Sequence, residues 1–225
     1  MSGTDARREL AARIDHTLLR PTATQADVEV AVSEAVSFRC AAVCVAPVWV
    51  RFAVEAVGGR IPVASVVGFP HGTSLSATKA AEAAAVTALG ATELDVVADL
   101  AALADGDFAT VAADVAQVRA AAPDALLKVI VESAAWSDAV LRAACDAALD
   151  GGADLVKTST GFHDAGGATV AAVETMRAVV GSRGGIKASG GVRTLGGAQA
   201  LVAAGADRLG CSATGSILAE LDAAR

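Results

Sequence analysis

Three segments of this chain share one shape: ALGATELDVV (residues 88–97), LDGGADLVKTS (149–159) and VAAGADRLGCS (202–212). In each, an Ala-rich helical stretch ends at a glycine suited to the left-handed conformation that closes helices, and alanine plus a polar residue then lead into a short apolar run. Such a junction joins a helix to a strand. Meeting it three times restricts the chain to alternating strands and helices. The runs CAAVCV (40–45), PVASVVGF (62–69), ALLKVIVES (125–133) and GGIKASGG (184–191) bring the strand candidates to seven, and residues 14–16 offer an eighth. Helical patterns such as 75–89 and 137–149 separate them.

Alternation of this kind implies a parallel sheet covered by helices. An open doubly wound sheet usually carries a GxGxxG or GxxxxGK[ST] turn after an early strand, and neither pattern occurs here. Near-equal units over 225 residues favour closure. The expectation is therefore an α/β chain folded as a single TIM (β/α)8 barrel over residues 1–225, with a short N-terminal helical extension. A composition that is 54% hydrophobic, mostly Ala and Val, and only 3% aromatic supplies the small residues such packing needs.

Several function classes fit poorly. The net charge is −7 and no Lys/Arg run could track a phosphate backbone, which argues against nucleic acid. No stretch offers the roughly 20 apolar residues of a membrane helix. The start, MSGTDARRELAARI, reads as neither secretory signal nor anchor, so a soluble, cytoplasmic protein is expected. Cys40, Cys145 and Cys211 read as buried thiols, and Cys40 and Cys44 in one strand would stand too far apart to share an ion or a disulfide. The three histidines have no metal-binding spacing, so no metal is expected.

The cations are more informative. The chain has 14 Arg and only 4 Lys, so each lysine raises the question of what arginine could not do. Lys79, in SATKAAEA with Glu82 three residues on, reads as a solvated helix pair. Lys128, Lys157 and Lys187 each fall in a candidate strand. Outward placement would press them on apolar helices, so inward placement is expected. Lys128 shares its face with Ile130 and Glu132, which makes an internal pair with Glu132 available. Lys157 and Lys187 precede the polar loops TSTGF and ASGGVRT, at the strand ends where barrel chemistry resides. Mutual repulsion and burial both lower an amine's basicity, and a neutral amine attacks carbonyl carbon. The competing reading is structural, with each lysine paired to a carboxylate such as Asp95 or Glu132.

Gly161, Gly190, Gly191 and Gly210, with Ser212, follow the strands as anion-cradling loops would. Amine and anion clamp together suit a phosphorylated carbonyl compound. Asp95, near a strand end, and Asp15, in the candidate strand at 14–16, are carboxylates available for proton transfer or for ion pairing. A sugar-phosphate isomerase barrel and a non-catalytic phosphate-binding barrel stay open as alternatives.

In this order DHTLLRPTAT, VCVAPVWV, VVGFPHG, TELDVV, LLKVIVES, ADLVKTSTGF and IKASGGVRT resemble the deoxyribose-phosphate aldolase family, from about Asp15 to Ser212. The resemblance implies a TIM barrel and a cofactor-independent class I aldolase that cleaves 2-deoxy-D-ribose 5-phosphate, with sugar phosphate and aldehydes as its only partners beyond a possible homodimer. It gives Lys157 the Schiff base, Lys187 the lowering of Lys157 basicity, and Asp95 the proton relay. Asp15, Cys44 and Lys128 would line the site, and Gly161, Gly190, Gly191, Gly210 and Ser212 would hold phosphate. Asp99, Ala46 and Ala213 depart from residues common in the family.

Overall fold

A computed structural model describes residues 3–224. The strands are β1 (Ile14–Leu18), β2 (Ala42–Val45), β3 (Val63–Val67), β4 (Glu93–Val97), β5 (Leu126–Ile130), β6 (Leu155–Lys157), β7 (Gly185–Ser189) and β8 (Arg208–Cys211). They pair in parallel in sequence order, and β1 also pairs with β8, closing the barrel. The helices are α1 (Gly3–Ala11), α2 (Gln25–Phe38), α3 (Val50–Val57), α4 (Ser76–Ala88), α5 (Leu100–Asp105), α6 (Phe108–Ala121), α7 (Asp138–Asp150), α8 (Val170–Val180), α9 (Leu195–Ala203) and α10 (Thr214–Ala223). Short 3-10 turns at Pro47–Trp49 and Ser133–Ala135 complete the set. This is the expected TIM barrel, and the candidate strand at 14–16 is β1. α1 is the N-terminal extension and packs against α10, with Arg7 bonded to Asp222 at 3.2 Å.

The repeated junction has a physical basis. Gly90, Gly152 and Gly205 adopt φ of +105°, +97° and +114°, where an L side chain is strained. At the last two, an arginine clamps the turn. Arg119 of α6 donates to the Gly152 carbonyl and to Asp154, and Asp154 also accepts from the backbone N–H of Leu127 as β5 begins. Arg177 of α8 does the same to Gly205 and Asp207, with Asp207 holding the N–H of Ile186 in β7. Each clamp ties a helix and the strand after it to the start of the next strand.

The main core lies between strands and helices, built from outward residues such as Val43, Val45, Leu94, Leu127, Ile186 and Leu209. Inside the barrel, Ala42, Cys44, Ala64 and Val66 of β2 and β3 form an apolar cluster with Leu19 and Phe69 against them, and Val97, Ile130 and Leu155 share the inward faces of β4, β5 and β6 with the charged residues. Between them the interior is ionic.

Two expectations are corrected here. Lys79 is fully buried and bonds Asp114 across α4 and α6 at 2.7 Å, while Glu82 accepts from the Gly68 N–H instead. Its stem lies against Gly68, so the helix turns this lysine inward. Cys40 lies before β2 rather than in it, although all four cysteines are buried and free as thiols.

Candidate active site

Six strands turn charged side chains toward the barrel axis. Asp95 of β4 accepts from Lys157 of β6 at 2.6 Å and Lys187 of β7 at 2.6 Å through Oδ2, and from Lys128 of β5 at 3.1 Å through Oδ1. Asp15 of β1 accepts from Lys187 at 2.5 Å and Lys128 at 3.1 Å, and its other oxygen is held by the Arg208 guanidinium of β8. Glu93, two residues before Asp95 on the same face, joins Lys128 at 2.5 Å to Arg208 at 2.9 Å. Buried ions persist only when paired in this way. Four cations and three carboxylates thus form one continuous column.

The sequence pairing of Lys128 with Glu132 does not form. Glu132 lies beyond β5 with φ +53° and turns its carboxylate to Thr160, accepting from its backbone N–H and, at 2.7 Å, from its hydroxyl. It therefore holds the loop after β6. Thr158 and Ser189 stitch that loop to the one after β7: Ser189 N–H donates to the Thr158 hydroxyl and Ser189 Oγ to the Ser159 carbonyl.

Above the column, at the C-terminal ends of the strands, is a cavity of about 320 Å³. Gly161, Gly190, Gly191, Gly210 and Ser212 all line it, and so does Lys157. Gly161 and Gly190 have φ of +83°, and a Cβ on Gly190 would lie 2.9 Å from Gly167 Cα. Gly210 has a further reason to be glycine, since a Cβ there would lie 3.0 Å from Lys187 Cε. Beside Ser212, α10 begins without a side-chain cap at Ala213, leaving N-terminal N–H groups unclaimed by side chains. Arg20 and Arg193 also line the cavity, as do Thr17 and Thr160; none of these was singled out from sequence, because no spacing separates a rim arginine from an ordinary surface one.

Among the three barrel lysines only Lys157 reaches the cavity. Lys128, Lys187, Asp95, Asp15 and Cys44 are fully buried beneath it, so the expected lining residues Asp15, Cys44 and Lys128 form a layer under the floor rather than its wall.

The electrostatics divide the lysines. Burial is the strongest influence on Lys157 and lowers its basicity; the Lys187 charge adds to this, and the net value falls below that of an ordinary lysine despite Asp95. Asp95 is divided among three cations, so its pull on Lys157 does not offset the burial that lowers that amine's basicity. Lys187 goes the other way: burial opposes its charge, but Asp15 and Asp95 together raise its basicity. Lys128 is likewise raised against burial, by Asp15, Asp95 and Glu93. Burial alone would raise both aspartates, yet Lys128 leads the cations that hold Asp15 and Asp95 well below the usual carboxylate range. Burial, with Asp95 adding to it, pushes the Cys44 thiol up to about 11. The sequence expectation that burial and repulsion lower both lysines thus holds for Lys157 alone. One amine with depressed basicity opens into a cavity; a permanently charged one stands behind it.

The family departures have local explanations in two cases. Asp99 caps α5, accepting from the N–H groups of Ala101 and Ala102 at 3.0 Å. Ala213 leaves the α10 terminus uncapped by a side chain. Nothing in the structure explains Ala46.

Residues 10–217 match the DeoC/LacD family of aldolases. The deoxyribose-phosphate aldolase of Mycobacterium tuberculosis (strain H37Rv) is 54% identical over 222 residues, covering 97% of this chain and 98% of that protein. The one from Mycobacterium avium (strain 104) is 52% identical over 219 residues, covering 96% and 98%. Among solved structures, a putative deoxyribose-phosphate aldolase from Coccidioides immitis superposes with a TM-score of 0.93 at 39% identity, over 96% of this chain and 87% of that one. The tetrameric deoxyribose phosphate aldolase from Aeropyrum pernix gives 0.89 at 35% identity, over 99% and 96%. With its barrel, its amine and its relatives in agreement, the chain belongs to the DeoC/LacD family and is an aldolase, a carbon–carbon lyase.

Proposed function

We propose that this aldolase works through a Schiff base on Lys157 and reversibly cleaves 2-deoxy-D-ribose 5-phosphate to acetaldehyde and D-glyceraldehyde 3-phosphate. The observation that carries the reading is that, of three buried barrel lysines, the one opening into the cavity is the one whose basicity is lowered. The named substrate of the mycobacterial relatives supports the choice of sugar.

The Lys157 amine adds to the C1 aldehyde of the open-chain sugar, and loss of water gives a protonated imine. As the C3 hydroxyl gives up its proton, the C2–C3 bond breaks and its electron pair moves toward the imine nitrogen. Glyceraldehyde 3-phosphate leaves, with C3 as its aldehyde carbon, and an enamine stays on Lys157. Protonation of the C2-derived carbon and addition of water return the amine and release acetaldehyde. Asp95, bonded to both Lys157 and Lys187, passes protons through water, and the charge on Lys187 keeps the resting amine neutral. Asp15 and Lys128 fix Lys187 and Asp95, and Cys44 fills the floor beside them. The phosphate is assigned to Gly161, Gly190, Gly191, Gly210 and Ser212, aided by the α10 terminus and its dipole.

The same reading assigns the work to deoxyribonucleotide breakdown in the cytoplasm by one domain over residues 1–225 that pairs as a homodimer. Among the described residues no helix is long and apolar enough to cross a membrane. Sedimentation of the purified protein decides between dimer and the tetramer described for the A. pernix relative.

Incubation with acetaldehyde and borohydride should leave a stable N-ethyl group on Lys157, found by peptide mapping, and Lys157→Leu should reduce turnover to background. Retained turnover, or no adduct, would favour a proton-transferring isomerase or a binding barrel and defeat the Schiff-base reading.

A further inference from the structure

Arg208 and Glu93 lie outside the cavity wall and outside the chemistry just described. They open β8 and β4, at the strand ends away from the cavity, and are the lowest members of the ion column. With Lys157 neutral, the column contains three cations (Lys128, Lys187, Arg208) and three carboxylates (Asp15, Glu93, Asp95), bonded in a continuous chain. A proton on Lys157 would leave it with an excess positive charge in a buried interior, where such an excess is costly. The balance of the column, set in part by its far end, therefore bears on the amine at its near end.

We propose that Arg208 and Glu93 are positioning residues that set the protonation state of Lys157 through the column without touching substrate. The proposal deepens the Schiff-base reading and rests on it. Lys157, Lys187 and Arg208 stand side by side in the strand register. The groups facing Lys157 are Asp95 from β4, Lys187 from β7 and the Cys44 thiol from β2; Lys128, Asp15, Glu93 and Arg208 lie behind them. β3 contributes only Ala64 and Val66 to the interior, so no charge there offsets a change elsewhere. Asp15 and Asp95 are ionised far below neutrality, which makes Lys157 the member that answers a change in balance.

The two residues act with opposite sign. Removing the Arg208 charge leaves carboxylates in excess, so Lys157 keeps its proton to higher pH. Removing the Glu93 charge leaves cations in excess, so Lys157 sheds its proton at lower pH. Two inter-strand spacings of ~4.8 Å separate Arg208 from Lys157 along the register. A unit charge at roughly that separation, in an effective dielectric of about 20, moves a titration by about one pH unit.

The test is the pH dependence of borohydride-trapped acetaldehyde adduct on Lys157 in the full-length protein. Arg208→Gln should move the midpoint up by about one pH unit, Glu93→Gln should move it down by a similar amount, and the double variant should return toward wild type. Arg208→Lys, which keeps the charge, should stay near wild type. A merely structural role would lower adduct yield without moving midpoints in opposite directions. Both single variants shifting the same way, or neither shifting while adduct still forms, overturns the proposal. Should Arg208→Gln not fold, Glu93→Gln decides alone: a downward shift supports the proposal and an unmoved midpoint overturns it. Absence of adduct in wild type brings down the Schiff-base reading and this inference together, whereas wild-type adduct with unmoved variants brings down only the inference.

Discussion

At the scale of single residues, an amine of lowered basicity buried to 3% exposure is a liability to the fold that carries it. The folded-state basicity of Lys157 lies below the unfolded value of roughly 10.4. Between those two values the unfolded chain binds a proton that the native chain does not, so stability falls as pH drops through that window. At neutral pH the amine therefore costs stability. Lys157→Leu keeps comparable bulk, and Asp95 retains Lys187 and Lys128 as partners. The variant should be more stable than wild type by on the order of 1 kcal/mol in urea denaturation at pH 7; a variant less stable than wild type would show that the amine serves the fold. Lys79 shows the limit of local reading: a lysine three residues before a glutamate on a helix looks solvated, and only the packing of α4 on α6 reveals Asp114 as its partner.

At the scale of elements, the sequence already displayed the repeat, because glycine after an Ala-rich helix has a local cause. It did not display the clamps, because Arg119 and Asp154 are 35 residues apart and meet only once the sheet is formed. Asp154→Ala should remove the Arg119 pair and leave the Leu127 N–H without its acceptor, lowering stability by about 1–3 kcal/mol. The pH profile of adduct formation should not move, since Asp154 is not part of the column. Thermal denaturation and trapping on one preparation would check both halves, and an unchanged melting temperature would mean that the clamp adds nothing to the pairing of β5 with β6. Glu132 was legible only as a carboxylate near Lys128. Its left-handed backbone turns it to the TSTGF loop instead, and sequence offers no pattern for that turn at a non-glycine residue.

At the scale of the whole molecule, the interior of the barrel is unevenly filled, wholly apolar along β2 and β3, while the charged residues are carried by the other six strands. Three of the four column cations were visible as lysines in an arginine-rich chain. Arg208 was not, because it resembles the other arginines until β8 closes on β1. Asp15 and Asp95 have folded values below their unfolded ones, so their contribution is complete above the ordinary carboxylate value of ~3.9 and is lost as pH falls through the lower folded values. In Lys157→Leu, where no amine titrates at that position, stability measured by denaturant titration should hold from pH 7 to about pH 5 and decline below about pH 4; a decline already steep near pH 6 in that variant would point to groups outside the column. The clamps also bear on how the molecule is made. Arg119 precedes Asp154, and Arg177 precedes Asp207, so a chain emerging N-terminus first has each gripping side chain ready before the carboxylate it will seize. The second half of the barrel can therefore be fastened stave by stave during synthesis, each new strand meeting a latch that has already left the ribosome.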